Sequence, residues 1–185
     1  MNVKDFIKAI FAGIMIGIAG MVYISVPEKY VGAIMFAVGL IVICYFDYNL
    51  YTGKIGYAQS HKDIPFLLKC ILGNLIGVFF VALSTSVNTR DMVINKLATP
   101  LCISFLRGIF CGFLMYVSVD IFKKHKSVIG ICYCIPAFIL AGFEHSIADM
   151  FYICCSGIFT LKSFLFIIVV IAGNTVGSLM HKFLK

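Results

Sequence analysis

The sequence predicts an all-α membrane protein in which six transmembrane helices form two inverted three-helix repeats, with the second and fifth helices broken. Hydrophobic residues make up 62% of the 185 residues and charged residues only 12%, and the mean hydropathy is +1.05. Soluble domains usually contain about 25% charged residues, so lipid is the expected surrounding. The apolar residues fall in six runs, and motifs of the first three runs recur in the last three.

Each of the six runs is long enough to cross the hydrocarbon layer of a bilayer, which takes about 20 residues. The runs cover residues 6–26, 31–51, 65–86, 99–122, 127–151 and 163–183. Little sequence remains outside them, so we expect one transmembrane pore domain over residues 1–185, with repeats at about 1–90 and 91–185. The first run has no clear small-residue cleavage site and is interpreted as a span rather than a cleaved signal peptide.

The basic residues lie mainly in the loops expected on one side of the membrane. That side holds Lys4, Lys8, Lys54, Lys62, Lys69, Lys123, Lys124, Lys126, Lys182 and Lys185, and the opposite loops hold Lys29, Arg90, Lys96 and Lys162. The positive-inside rule then predicts a multi-pass protein of the cell inner or plasma membrane with both termini in the cytoplasm. The net charge of +7 therefore indicates membrane topology, and no nucleic-acid partner is expected.

The eight cysteines lie mostly within the apolar runs, where cysteine behaves as a small hydrophobic residue. The Cys132-x-Cys134 pair has no second pair at the spacing of a zinc site. We therefore expect neither a metal nor another cofactor.

Three pairs of motifs suggest an internal repeat. Residues 6–13 and 105–112 share the order aromatic, aliphatic, base, small, Ile, Phe, small, Gly; residues 73–77 and 173–177 are both Gly-Asn-x-x-Gly; and Phe46-Asp47 resembles Phe143-Glu144. The offsets are about 99, 100 and 97. Because each half has three spans, the halves must insert in opposite orientations, an architecture found in transporters.

Polar residues interrupt the second and fifth runs at mid-membrane depth. They are Asp47, Asn49 and Thr52 in the second run and Glu144, His145, Ser146 and Asp149 in the fifth. Ionisable side chains at that depth normally face a cavity or a partner. We expect the two broken helices to meet, line a conduction path and point freed backbone amides at a passing ion.

The remaining polar residues of these segments are expected to support the helix breaks. Asn74 and Asn174 can hydrogen-bond backbone groups that the breaks open, and their flanking glycines allow close helix packing. Glu144 and Asp47 are expected to brace the breaks through backbone amides. Asn49, Ser146 and Asp149 are assigned to the same supporting role.

The sequence Gly-Phe-Glu-His-Ser-Ile-Ala-Asp-Met at 142–150 resembles the fifth-helix signature of the formate/nitrite transporter family. Leu-Tyr-Thr-Gly at 50–53 resembles that family's interruption in helix two, and Lys96 matches its extracytoplasmic lysine by the spacing from Gly108. The resemblance covers nearly the whole chain. It implies homopentamers of aquaporin-like protomers, each with a pore for formate, nitrite, hydrosulfide, acetate or lactate.

The resemblance also implies roles for individual residues. His145 is the expected central pore histidine, with Thr52 hydrogen-bonded to it or to the substrate. Phe36 and Phe138 would form the outer constriction, Leu40 and Leu50 would narrow the inner side, and Lys96 would attract anions to the outer vestibule. Because histidine titrates near neutral pH, His145 is expected to donate a proton or a hydrogen bond, giving either channel-like flux or anion/proton symport.

Several positions depart from the family pattern. Asp149 and Gly112 stand where the family usually has asparagine, and Asn49 replaces an acid, with Asp47 two residues earlier. A carboxylate near the pore opposes anion passage unless it is protonated or paired. The chain starts only a few residues before the first span, so the family's amphipathic N-terminal helix is expected to be missing, which leaves gating open.

Three other classes of protein fit parts of the sequence. A substrate-binding membrane subunit of a vitamin importer has a similar size but needs no inverted repeat. A neutral-solute pore of aquaporin type would carry an Asn-Pro-Ala pair, which is absent. A membrane enzyme would need a nucleophile–base pair or a metal set, and no spacing provides either. The sequence does not select the anion.

Overall fold

The computed structural model describes residues 2–184, so Lys185 of the basic-residue pattern lies outside the described residues. Within that range the chain is helical and contains no strand, which confirms the predicted all-α class. The helices are α1 (Val3–Ser25), α2 (Lys29–Tyr45), α3 (Tyr51–Lys54), α4 (Ile64–Leu83), α5 (Arg90–Ala98), α6 (Leu101–His125), α7 (Ile129–Leu140), α8 (Ser146–Ser156) and α9 (Leu161–Leu179). Short 3₁₀ turns cover Ile55–Tyr57, His61–Asp63 and Met180–Leu184.

Four helical segments of the described chain are long and apolar enough to cross a membrane. They are Val3–Ser25, His61–Leu83, Leu101–His125 and Leu161–Phe183, and they correspond to the predicted first, third, fourth and sixth spans. The predicted second and fifth spans are both interrupted. Residues 46–50 separate α2 from α3, and residues 141–145 separate α7 from α8, so the breaks lie in the two helices where the sequence predicted them.

The long helices pack in two close pairs, α1 with α4 and α6 with α9. Glycine makes the close approach possible. A β-carbon at Gly77 would overlap the carbonyl oxygen of Ile10 in α1, and one at Gly177 would overlap the carbonyl oxygen of Ile109 in α6. Small residues at such crossings let helix backbones approach within membranes, so the Gly-Asn-x-x-Gly motifs set the spacing of both pairs.

The remaining helices surround these pairs in corresponding ways. Helix α2 packs on α1 as α7 packs on α6, and α2 and α7 also pack on each other. The half-helix α8 contacts α4, and the 3₁₀ turn that continues α3 contacts α9. Corresponding elements therefore have corresponding neighbours, and both breaks end in buried residues, Asn49 and Leu50 in the first and Glu144 and His145 in the second.

Helix α5 is a short polar element between α4 and α6. It packs on α8, and the Thr89 hydroxyl before its first turn donates to the carbonyl oxygen of Tyr152, at 2.7 Å. The buried side chains Val93 and Leu97 anchor the helix on the bundle. This anchoring directs Lys96 toward α8 and the second helix break.

Candidate functional site

An asparagine from a neighbouring long helix holds each break open. In the first half, Asn74 Oδ1 accepts from the Tyr51 N–H at 2.9 Å. Its Nδ2 donates to the carbonyl oxygens of Ala9, at 2.7 Å, and Asn49, at 3.0 Å. The side chain therefore joins α1, the break and the start of α3.

The second half repeats this arrangement. Asn174 Oδ1 accepts from the Ser146 N–H, and its Nδ2 donates to the carbonyl oxygens of Gly108 and Glu144, each at 2.9 Å. Both asparagines are fully buried. The two side chains satisfy backbone groups that the breaks remove from regular helix bonding, as expected from the sequence.

The hydrogen bonds also fix the register between the two breaks. Asn49-Leu50-Tyr51 occupies the positions of Glu144-His145-Ser146, and Asp47, with φ of 49°, corresponds to Gly142, with φ of 71°. The prediction that Phe46-Asp47 matches Phe143-Glu144 was therefore wrong by two residues. The turn geometry sets the register, whereas the shared Phe-acid pair is a similarity of composition.

The expectation that backbone amides at the breaks face a passing ion is not met for the groups that start the half-helices. The Tyr51 and Ser146 amides donate to the two asparagines. The Ala148 amide donates to His145 Nδ1 at 3.2 Å. Protein side chains already accept these hydrogen bonds, because an unpaired amide at this depth would be costly.

The acidic side chains were also assigned the wrong partners. Asp47 contacts Lys8 at 3.3 Å and Lys54 at 2.8 Å, so it ties α1 to α3 by ion pairs and not through backbone amides. Glu144 contacts Lys96, and its other carboxylate oxygen lies 3.9 Å from Arg107. The carboxylates pair with cations here, because the break amides of Tyr51 and Ser146 already donate to the two asparagines.

The other proposed supporting residues divide in a similar way. Asn49 Nδ2 donates to the Asp5 carbonyl oxygen at 2.9 Å, which holds the first break against α1. Ser146 contributes its backbone amide, but its hydroxyl has no hydrogen-bond partner among the described residues. The Asp149 N–H donates to the His145 carbonyl oxygen at 2.9 Å, as in a regular helix. Its carboxylate accepts no hydrogen bond from the described break backbone, and Oδ1 lies 2.9 Å from Lys96 Nζ.

His145 and Thr52 bring the two breaks together. Thr52 Oγ1 lies 2.9 Å from His145 Nε2, and both residues are at most 2% exposed. Since His145 Nδ1 accepts from the Ala148 amide, the neutral ring carries its proton on Nε2, and that N–H points at Thr52. The Phe138 ring stacks on the imidazole, with centroids 5.8 Å apart and planes inclined by 15°.

One cavity leads to this pair from the side of α5, and we call it the Lys96 cavity. Its volume is about 170 Å³. Its walls include Tyr23, Lys29, Phe36, Met92, Lys96, Phe138, Gly142, His145, Asp149 and Tyr152. The rings of Phe36 and Phe138 meet edge to face, 6.2 Å apart, so the predicted aromatic pair lies beside the histidine.

A second cavity, here called the Lys123 cavity, has a volume of about 290 Å³. Its walls include Leu40, Cys44, Asp47, Leu50, Lys54, Val119, Phe122, Lys123 and Lys126. Along α2 the Lys96 cavity touches Phe36, and the Lys123 cavity begins at Leu40, one helical turn later. Phe36 and Phe138 border the Lys96 cavity and Leu40 and Leu50 border the Lys123 cavity, and all four side chains are at most 2% exposed.

Lys96 lines its cavity but is not an isolated cation. Its ammonium group contacts the carboxylates of Glu144 and Asp149, and 20% of its side chain is exposed. The sequence predicted that Lys96 attracts anions but not that it pairs with two carboxylates. The departure at Asp149, one helical turn after His145, was the available signal for this ion-pair cluster.

Sequence reasoning also missed two of the three lysines of the Lys123 cavity. Lys123 and Lys126 line it together with Lys54, and the Lys123 ammonium lies 3.3 Å from the centroid of the Tyr57 ring. The basic cluster at 123–126 was visible in the sequence but was assigned only to membrane topology. No group of three or more His, Cys, Asp or Glu residues within 2–184 is arranged to hold a metal ion.

The fold is similar to solved channel structures. It superposes with a TM-score of 0.89 on a structure described as an FNT family ion channel, at 21% identity, covering 99% of this chain and 90% of that one. It superposes with a TM-score of 0.84 on a pentameric formate channel with formate bound, at 22% identity, covering 98% and 94%. These likenesses establish the fold.

Similar sequences agree with this result. The chain is 28% identical to the nitrite transporter NirC of Escherichia coli over 159 residues, covering 78% of this chain and 55% of that protein. It is 26% identical to the formate channel FocA of Escherichia coli over 188 residues, covering 81% and 65%. The chain thus spans between about half and two thirds of these curated relatives. The family model described as formate/nitrite transporter matches residues 2–184, and the chain therefore belongs to the formate/nitrite transporter family.

Proposed function

We propose that this protein forms a pore for small monovalent anions of weak acids, such as formate, nitrite or hydrosulfide. The Thr52–His145 hydrogen bond between the Lys96 and Lys123 cavities carries the proposal. It places one polar pair in a buried layer of aromatic and aliphatic side chains, at the point where two broken helices meet. Relatives named as a nitrite transporter and a formate channel support the same substrate class.

Passage through this layer requires the anion to lose most of its water. A bare anion among Phe36, Phe138 and Leu50 would lack hydrogen-bond donors, which is strongly unfavourable. His145 offers the substrate an Nε2–H in place of Thr52. Its Nδ1 caps α8, so protonating that nitrogen would break the cap, and His145 therefore acts as a hydrogen-bond donor rather than a proton source.

Lysines serve the two ends of the path in this proposal. The basic-residue pattern assigns the Lys123 cavity to the cytoplasm and the Lys96 cavity to the opposite side. Cations at a narrow mouth raise the local concentration of anions and their rate of entry. The path can therefore collect anions from both sides of an inner or plasma membrane.

Five copies are proposed to assemble, each with its own pore. Large apolar side chains exposed on the protomer, including Phe79, Phe80, Phe164 and Leu161, supply surfaces for neighbouring copies and lipid. A patch of this extent is unusual on a soluble monomer. The fold likeness to a pentameric formate channel supports the stoichiometry.

The test is anion flux in proteoliposomes, comparing formate, nitrite, hydrosulfide and acetate at two pH values. His145→Phe is expected to lower formate flux at least about tenfold, because the buried layer would lose its donor and a hydrogen bond to a charged group contributes about 1.5–3 kcal/mol. His61→Phe, in an exposed turn, is the matched control and should behave as wild type. Wild-type formate flux with unchanged pH dependence in His145→Phe would refute the pore role, and glycerol flux without anion flux would favour a neutral-solute pore.

A further inference from the structure

Two buried carboxylates share one lysine at the wall of the Lys96 cavity. Lys96 Nζ contacts Glu144 Oε2 and Asp149 Oδ1, and both acids are at most 2% exposed. Glu144 also has Arg107 at 3.9 Å from its other oxygen. Glu144 therefore has two neighbouring cations, Lys96 and Arg107. Asp149 has one described cation, Lys96, which it shares with Glu144.

Oδ2, the second oxygen of Asp149, accepts no hydrogen bond from the described residues, and the neighbouring carboxyl group within hydrogen-bonding reach of Asp149 is that of Glu144. The Oδ2 atom is buried, and the Asp149 side chain borders the Lys96 cavity. A buried carboxylate oxygen without a donor is strongly unfavourable. A protonated carboxyl group instead carries an O–H that can donate to the Glu144 carboxylate or to a ligand in the cavity.

The surroundings of Asp149 make a second negative charge harder to accommodate. The titratable and charged groups on the packed elements are Tyr23 of α1, Lys29 of α2, Lys96 of α5, Arg107 and Cys111 of α6, Glu144 and His145 of the break, and Tyr152 of α8. Of the cations, Lys96 lies 2.9 Å from Asp149 and already pairs with Glu144. An ionised Asp149 would also repel the anion that the cavity must admit.

We propose that Asp149 carries a proton on Oδ2 and transfers it to the anion that enters the Lys96 cavity. The O–H bond of Asp149 breaks, and an O–H or S–H bond forms on the substrate, which becomes the neutral acid. Asp149 is left as a carboxylate paired with Lys96 and recovers a proton from water at the cavity mouth. The neutral acid passes Phe36 and Phe138 and releases its proton to water in the Lys123 cavity.

This inference rests on the proposed function and adds its proton source. His145 donates a hydrogen bond within the buried layer, while Asp149 supplies the proton before the substrate reaches that layer. Each anion then crosses together with one proton, so the transport is electroneutral symport.

Asp149→Asn tests the proposal because it keeps a similar shape and an oxygen that can accept from Lys96, but removes the acidic proton. Proteoliposomes with a pH-sensitive dye inside receive external formate, and empty liposomes correct for acid that crosses the lipid directly. Formate-driven acidification is expected to fall about 10²-fold, the lower end of what a positioned proton donor contributes. Asp91→Asn, an exposed acid of α5, should acidify as wild type does.

Acidification by Asp149→Asn at the wild-type rate would overturn the proposal. It would also be overturned if the wild-type protein carried formate without acidifying the liposomes. An infrared spectrum of the purified protein at neutral pH gives a measurement independent of transport. The wild type and Asp91→Asn should show the carbonyl band of a protonated carboxylic acid, and Asp149→Asn should lack it. If the wild-type protein transported no more formate than empty liposomes, the proposed function would be refuted. The infrared band would still show whether Asp149 is protonated.

Discussion

Replacing Asn174 by leucine should weaken the fold without touching the lining of either cavity. Leucine has a similar shape but neither accepts nor donates a hydrogen bond. The change leaves three buried backbone groups without their partner: the Ser146 N–H and the carbonyl oxygens of Gly108 and Glu144. Since these groups join α6, the second break and α8, their loss should loosen the break that positions His145.

The expected loss of stability follows from those three groups. Hydrogen bonds between membrane helices average about 0.6 kcal/mol, and a buried polar group left unpaired costs about 1–3 kcal/mol. Three groups therefore give a loss of about 2–9 kcal/mol. For a chain of this length each kcal/mol lowers the unfolding midpoint by about 2–4 °C, so even the lower value predicts a fall of about 4 °C or more.

The measurement is the unfolding midpoint of detergent-purified protein, followed by loss of its size-exclusion peak on heating. Asn74→Leu removes the matching three hydrogen bonds of the first break and should lower the midpoint by a similar amount. Asn95→Leu, on the exposed face of α5, is the control and should change it little. A midpoint unaltered by either buried substitution, or altered by only one of the two, would refute the reasoning that the breaks are held equivalently.

Two further substitutions probe the helix crossings and the Lys123 cavity. Gly177→Leu should lower the free energy of unfolding by at least about 1–3 kcal/mol through overpacking, and with it the yield of folded protein and the unfolding midpoint, because the added β-carbon overlaps the Ile109 carbonyl oxygen. Gly53→Ala, whose added β-carbon meets only ordinary contacts, should fold as wild type does. Lys123→Gln should slow anion entry from its own side up to about fivefold at low salt, since one charge in water contributes about 1 kcal/mol at contact distance. High salt should remove that difference. Lys124 pairs with Asp120 at 2.6 Å, so Lys124→Gln should not slow anion entry. Equal effects of both lysine variants would contradict a specific role for Lys123.

The helical spans could be predicted because hydropathy depends on local composition. The same holds for Asn74 and Asn174, since an amide side chain flanked by glycines on an apolar helix has few partners other than opened backbone. The proximity of Thr52 and His145 followed from the resemblance to a known family. Each of these predictions required only a short stretch of sequence or a matching motif.

The register of the breaks and the partners of the acids could not be read in this way. Asp47 and Glu144 each follow a phenylalanine, yet the hydrogen-bonded turns place Asp47 opposite Gly142. Similarly, the assignment of Glu144 and Asp149 to Lys96 depends on how α5 docks against α8, which no single segment specifies. Interactions between distant segments decided these points, and composition alone gave the wrong pairing.

The use of the backbone amides at the breaks determines what the centre of the pore can do for an anion. If the first amides of α8 faced the pore, their partial charges would stabilise an ion directly. Instead the Ser146 and Ala148 amides are bonded to Asn174 and His145, and the single imidazole N–H points at Thr52. One donor among aromatic and aliphatic side chains does not replace the hydration of a full negative charge. A path built in this way favours a substrate that has already lost its charge. In our proposal the group that neutralises the substrate is the buried carboxyl of Asp149 at the entrance, one helical turn from His145.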